Sequence, residues 1–167
     1  GLAYGLSAFG LSAQLGISQS EAREQMDAYF ARFGGVRDYL REVVERARHD
    51  GYTETLFGRR RYLPELNSDN RLKRENAERA ALNAPIQGSA ADLIKVAMLG
   101  VHRELTSRDL TSRLLLQVHD ELVLEVTAGE REEVEQILRE QMAGAAELSV
   151  PLEVSVGVGT NWRTAGH

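Results

Sequence analysis

Two apolar runs of strand length, Leu114–Val118 and Leu122–Val126, are separated by only three residues, His119, Asp120 and Glu121. Strands joined so tightly can pair only as an antiparallel hairpin, because a parallel pair needs a long crossover between them. A turn selected for backbone geometry alone would normally carry Gly or Asn-Gly. This one carries adjacent carboxylates. The flanking strands read as apolar enough to be buried on both faces, and negative charge beside a core is costly unless a cation neutralises it. Mg²⁺ takes hard oxygen ligands, which makes Asp120 and Glu121 candidate metal ligands. One adjacent pair is an incomplete site that needs at least one further carboxylate. An exposed acidic hairpin tip fits the same spacing.

Upstream of this hairpin the pattern is helical. Ser18 followed by Glu21 reads as a capping box, and Ala22, Met26, Tyr29, Phe30 and Phe33 continue as one apolar face. Gly34-Gly35 is expected to stop that helix. Val36, Tyr39, Leu40, Val43, Val44 and Ala47 predict a second helix ending before Gly51. Thr53–Leu56 and Arg60–Leu63, with Gly58 between and Pro64 after, predict a short hairpin. A long helical pattern spans about Arg71 to Glu104, and Pro85 is expected to divide it into two helices meeting near Asn83–Gln87. Glu130–Met142 predicts an acidic amphipathic helix, and Leu152–Val158 a final alternating strand. The layout is α+β, helices first and then a small antiparallel β-sheet.

Bulk properties narrow the class. A chain of 167 residues can bury a core of its own. No apolar run approaches the roughly 18 residues of a bilayer-spanning helix. Cysteine is absent, which removes disulfides and thiolate metal sites and is compatible with a cytoplasmic protein. The chain opens on Gly-Leu-Ala-Tyr-Gly in the middle of a pattern, and this reads as a piece of something longer.

The net charge of −5 disfavours a nucleic-acid partner, but it is unevenly distributed. Residues 1–110 hold 16 Lys+Arg and 15 Asp+Glu, whereas residues 111–167 hold 4 and 10. Arg59, Arg60, Arg61, Arg71, Lys73, Arg74 and Arg79 form a basic stripe interrupted by Glu65, Asp69, Glu75 and Glu78. A local stripe can bind phosphate within an acidic chain, though the same composition also describes a solvated surface.

Within the stripe's helical continuation, Arg79 and Asn83 are four apart and share a helix face, and Gln87 continues the spacing. Arg, Asn and Gln can donate to minor-groove acceptors present on every correct base pair, testing pairing without reading sequence. Gly88, Ala90 and Ala91 would let a backbone approach closely. A polar seam between packed helices, its amides satisfied internally, fits the same residues.

Together these stretches resemble the family A DNA polymerases of the bacterial DNA polymerase I type, over essentially the whole chain. Val118-His119-Asp120-Glu121-Leu122 looks like motif C. Gly1-Leu2-Ala3-Tyr4-Gly5 looks like the end of motif B. Asn83 to Asp92 is similar to the primer–template segment, and Gly58-Arg59-Arg60-Arg61-Tyr62-Leu63-Pro64, Val150 to Val154 and Asn161-Trp162 complete the pattern.

The resemblance implies a C-terminal piece with helical fingers followed by part of a palm. Residues 1–50 would be fingers helices, 51–110 the hairpin and primer–template-binding helices, and 111–167 the palm segment. It implies a nucleotidyltransferase that adds deoxynucleotides to a primer 3′-hydroxyl in replication and repair, using two Mg²⁺ ions. Asp120 would be the metal ligand, Glu121 a secondary acid, and His119 a neighbour of the primer terminus. Arg79, Asn83 and Gln87 would contact the duplex, and Tyr4 would stack near the nascent pair or the template base. Partners would be primer–template DNA, deoxynucleoside triphosphates and the remainder of a monomeric polymerase. The family's motif A aspartate, triphosphate-binding fingers residues and thumb have no counterpart in this sequence, so the chain alone is expected not to polymerise. A stand-alone DNA-binding remnant without catalysis is the competing reading, and a metal-dependent phosphohydrolase built on the Asp120 turn is a third. Strands outside the sequence are expected to complete the final sheet, so an apolar edge and poor solubility are expected of the isolated chain.

Overall fold

The structure, a computed structural model, describes residues 6–166. They form two compact units, one up to Ser89 and one from Ala90. The boundary falls inside a single helix.

The first unit begins with α1 (Ala8–Leu15), α2 (Gln19–Arg32) and α3 (Gly34–Asp50). Helix α1 was not anticipated. Ser7 caps it, accepting from the Gly10 amide at 3.2 Å, and Gly16 ends it at φ +67°. The capping box of α2 forms as expected. Ser18 Oγ accepts from the Glu21 amide at 3.2 Å, and the Ser18 amide donates to Glu21 Oε2 at 2.9 Å. Gly34-Gly35 does not act as the stop. The break is the single residue Phe33, and both glycines belong to the first turn of α3. At the other end, Gly51 takes φ +80° and donates to the Ala47 carbonyl at 2.9 Å, a left-handed cap suited to glycine.

Strands β1 (Tyr52–Glu54) and β2 (Arg60–Tyr62) pair antiparallel with Tyr52 opposite Tyr62. A 3₁₀ turn over Pro64–Asn67 follows, and then α4 (Arg71–Ser107). Ala47, Leu63, Leu66, Ala77 and Ala81 make the core of this unit.

Helix α4 runs unbroken through Pro85, contrary to the expected division. Proline removes one helical hydrogen bond and crowds the carbonyl four residues earlier, at a cost of about 3 kcal/mol. Alanine-rich sequence surrounds the defect, and buried residues anchor the helix before it (Ala77, Ala81) and after it (Ile94, Ala97). Packing on either side outweighs one lost bond.

The second unit continues from α4 into β3 (Arg113–Val118), β4 (Glu121–Glu125), α5 (Arg131–Ala143) and α6 (Trp162–Ala165). Val101 and Leu105 of α4 meet Val134, Ile137 and Leu138 of α5, and Leu122, Leu124 and Val156 pack against them. Strands β3 and β4 pair antiparallel with an irregularity between Leu114 and Leu116.

Two expectations fail in this unit. The hairpin is not buried on both faces, since Leu115 and Leu116 are 53% and 51% exposed. The alternating segment 152–158 forms no strand. Leu152, Val154 and Val156 are half-buried while Glu153 and Ser155 are exposed, so the period-2 burial survives. No described strand pairs with the segment, and a strand is defined by its ladder partner. A side chain tethers it: Arg139 Nη1 donates to the Val154 carbonyl at 2.8 Å.

The fold class is as read: mostly helical, with small antiparallel two-stranded sheets. No helix among the described residues is long and apolar enough to cross a membrane.

Candidate functional site

The β3–β4 turn places His119 and Asp120 between the paired residues Val118 and Glu121. His119 takes φ +53°, a left-handed conformation that glycine or asparagine would adopt more easily. Gln117 holds that backbone from one side, its Nε2 donating to the His119 carbonyl at 2.6 Å. From the other side, Trp162 Nε1 donates to Glu121 Oε2 at 3.2 Å. His119, Asp120 and Glu121 are all exposed, so the turn is a solvent-facing tip and not a charge pair against the core.

Asp120 makes no hydrogen bond or ion pair with any described residue, and Glu121 bonds only the neutral indole. Two adjacent carboxylates whose negative charge no cation neutralises suit a hard divalent ion as part of a ligand set. Among the described residues there is no group of three or more His, Cys, Asp or Glu that could hold a metal. The turn therefore fits a metal ion in part.

The base of the hairpin is fixed by Glu130, just ahead of α5. Its Oε1 accepts from the Thr111 amide and hydroxyl at 3.0 and 2.8 Å. Its Oε2 accepts from the Ser112 amide and hydroxyl at 2.8 and 2.6 Å. Ser112 Oγ in turn accepts from the Thr127 amide at 2.9 Å, closing the loop after β4 onto the start of β3. These bonds, led by that from the Ser112 hydroxyl, hold the Glu130 carboxyl down at about 2.

In the other unit, Arg79, Asn83 and Gln87 lie on one continuous helix. Successive steps of four drift by about 40° around the axis, so the three form a gently winding row. Arg79 and Gln87 are exposed, and Arg79 is hydrogen-bonded to Asn76 Oδ1. Asn83 is half-buried, and its buried Oδ1 has no hydrogen-bond partner. That acceptor is not the internally satisfied amide that a packed polar seam requires.

Gly88 is a point of close approach by a side chain, not by a backbone. A Cβ built there would lie 2.6 Å from Thr55 Cγ2, so the β1–β2 loop occupies the space. Ser89 Oγ accepts from the Leu56 amide at 2.9 Å, and Arg59 donates to the Gly88 carbonyl at 3.0 Å. The basic stripe divides likewise. Arg60 pairs with Glu54 at 2.7 Å and lies 4.4 Å from the Tyr52 ring centre, and Arg71 pairs with Glu75 at 2.6 Å. Arg61, Lys73, Arg74 and Arg79 make no ion pair among the described residues. Tyr4 lies outside the described residues.

Sequence reasoning did not anticipate Gln117, Glu130 or Trp162 as supports of the turn. Trp162 reaches Glu121 across 41 positions, and no local pattern encodes such a contact. For Glu130 there was a signal. An acid at the start of a helix can accept from the amides and hydroxyls of a Thr-Ser pair at the start of the strand it packs beside.

Comparison with known proteins follows the whole chain. The family model for DNA polymerase family A matches residues 1–164. The DNA polymerase I of Mycobacterium tuberculosis is 71% identical over 167 residues, covering 100% of this chain and 18% of the relative. That of Mycobacterium leprae is 68% identical with the same coverage, and that of Pseudomonas aeruginosa 52% identical over 165 residues. The chain thus spans less than a fifth of these curated relatives. Among solved structures, the POL domain of Pol1 from M. smegmatis, in complex with DNA primer-template and dNTP, superposes with a TM-score of 0.98. It is 66% identical and covers 100% of this chain and 30% of that one. With a family match over nearly every residue and a fold match of this quality, the chain belongs to DNA polymerase family A.

Proposed function

We propose that this chain is the fingers-and-palm segment of a DNA-directed DNA polymerase that extends a primer 3′-hydroxyl in replication and repair. The observation that carries the reading is the likeness of all of this chain to part of a polymerase domain solved with primer–template and dNTP. Residues 1–50 would be fingers helices, 51–110 the primer–template-binding portion, and 111–167 the palm.

Within that reading Asp120 is the principal metal ligand, presented at the tip of a hairpin whose base is locked by Glu130. Glu121 is the secondary acid, and His119 lies beside the primer terminus. Arg79, Asn83 and Gln87 line the duplex as donors to its minor-groove acceptors. Arg61 and Lys73, which are exposed and form no ion pair among the described residues, are available to phosphates. When bound, Mg²⁺ would supply charge neutralisation for phosphoryl transfer, in which positioning and electrostatics dominate. Asp120 and Glu121 form a partial ligand set. The remaining carboxylate would come from another part of the polymerase, and this chain alone would not polymerise.

The test is Asp120→Ala in a full-length polymerase carrying this segment. Primer extension should fall by roughly 10²- to 10³-fold or more, the usual consequence of losing a charge-stabilising group. Primer–template affinity should remain close to that of the parent. Extension at the parental rate would remove the role assigned to Asp120.

A further inference from the structure

Beside the turn, Glu121 receives its hydrogen bond from a residue of the terminal helix, and the partner is a neutral one. The donor is the indole nitrogen of Trp162, 3.2 Å from Glu121 Oε2. Among the described residues no arginine or lysine pairs with Glu121. The distinction matters at a metal-binding turn. A guanidinium would fix the carboxylate and cancel its charge, whereas an indole N–H fixes it and leaves the full negative charge in place.

The indole is itself held. Asn161 caps α6, its Oδ1 accepting from the Thr164 amide at 3.0 Å while its own amide donates to Thr164 Oγ1 at 3.2 Å. Gly157 and Gly159 pass so close to α6 that an added Cβ would collide with Ala165 and with Thr164. The same extended segment is seated on the core of its unit through Val156, and tied to α5 through Arg139. A continuous path therefore runs from the α4–α5 core, through the Gly157–Gly159 stretch, to Trp162 and so to Glu121.

We propose that Trp162 is a positioning residue for the metal-binding turn: the terminal helix holds the Glu121 carboxylate in one orientation, without neutralising it, beside Asp120. This rests on the polymerase reading of the turn given above. Partners that orient metal ligands typically govern affinity by about 10- to 100-fold. Both side chains here are exposed, so the effect belongs at or below the low end of that range.

The experiment uses a full-length polymerase carrying this segment and Mn²⁺ as the probe, with bound and free ion distinguished by electron paramagnetic resonance. Trp162→Phe, which keeps a ring and removes the N–H, should weaken Mn²⁺ binding about three- to tenfold, and should raise the Mg²⁺ concentration for half-maximal extension in step. In a Glu121→Gln background the same change should add nothing. Gly159→Ala, which displaces α6 and leaves the indole intact, should reproduce the loss and guards against a folding defect specific to Trp162→Phe. Unchanged Mn²⁺ affinity in both Trp162→Phe and Gly159→Ala would overturn the proposal, as would an equal loss with and without Glu121. Asp120→Ala separates the two levels. If it abolishes extension while Trp162→Phe is silent, only the positioning role falls. If it leaves extension and Mn²⁺ binding intact, the polymerase reading of the turn and the positioning role fall together.

Discussion

The two hairpins of this chain have the same topology and opposite dispositions. The β1–β2 hairpin, Arg61 aside, uses its polar groups within its own unit. Its loop fills the space above Gly88, the Leu56 amide bonds Ser89, and Arg60 is shared between Glu54 and Tyr52. The β3–β4 hairpin is held at its base by Glu130 and at its flanks by Gln117 and Trp162, and its tip leaves Asp120 without a partner. The first hairpin is a packing device. The second keeps its charge in reserve. A carboxylate left unneutralised at the end of an otherwise satisfied hairpin is an arrangement suited to an external cation.

The contrast can be broken by substitution. Ile137→Ala should have the largest effect on stability, since Ile137 is fully buried where Leu122 and Leu124 of β4 pack. A loss of ~2–5 kcal/mol is expected, read from urea unfolding, and a loss well below that range would mean β4 is not anchored there. Gly88→Ala comes next. Its Cβ would meet Thr55 Cγ2 at 2.6 Å, and overpacking costs ~1–3 kcal/mol against a gain in helix propensity of about 1 kcal/mol. Thr55→Ser, which removes the clashing methyl and keeps the hydroxyl, should restore the melting temperature. Failure of that rescue would dissociate the β1–β2 loop from α4.

Glu130→Gln probes the base of the second hairpin through pH. The carboxyl sits at about 2 in the fold against 4.5 as its ordinary value. A depressed carboxyl contributes stability that is fully present above about pH 4.5 and is lost as pH falls through 2. The melting-temperature gap between parent and variant should therefore be constant from pH 7 to 5 and shrink toward pH 2; a gap that widens on acidification would contradict the assignment. The smallest effect is expected for Leu115→Ser. On a face that is half exposed, the cost should stay within ~0.5 kcal/mol in this chain, and a larger loss would show the face to be covered.

Much of this molecule was legible where the cause is local. The Ser18–Glu21 box, the Gly51 cap, both hairpins and the acidic helix all follow from contacts a few residues apart, and all appear with nearly the expected bounds. The failures share a different cause. Pro85 reads as a break because a proline's local cost is visible and the packing that outweighs it is not. Segment 152–158 reads as a strand because alternation is visible, while the presence of a pairing partner is not. Leu115 and Leu116 read as buried because apolarity is visible, and what covers them is not. For the site, the residues of the turn were named from the sequence, and the three side chains that support it were not.

What the sequence alone determined is therefore the periodicities, the caps, and a motif order specific enough to identify a polymerase family. Those properties are written in spacing and in residue chemistry. Tertiary structure decided that α4 stays whole, that Asn83 carries an unanswered acceptor, that Asp120 stands in solvent, and that Trp162 answers Glu121 from 41 positions away. Each of these depends on which groups the folded chain brings together or leaves apart, and distance along the chain carries no record of that.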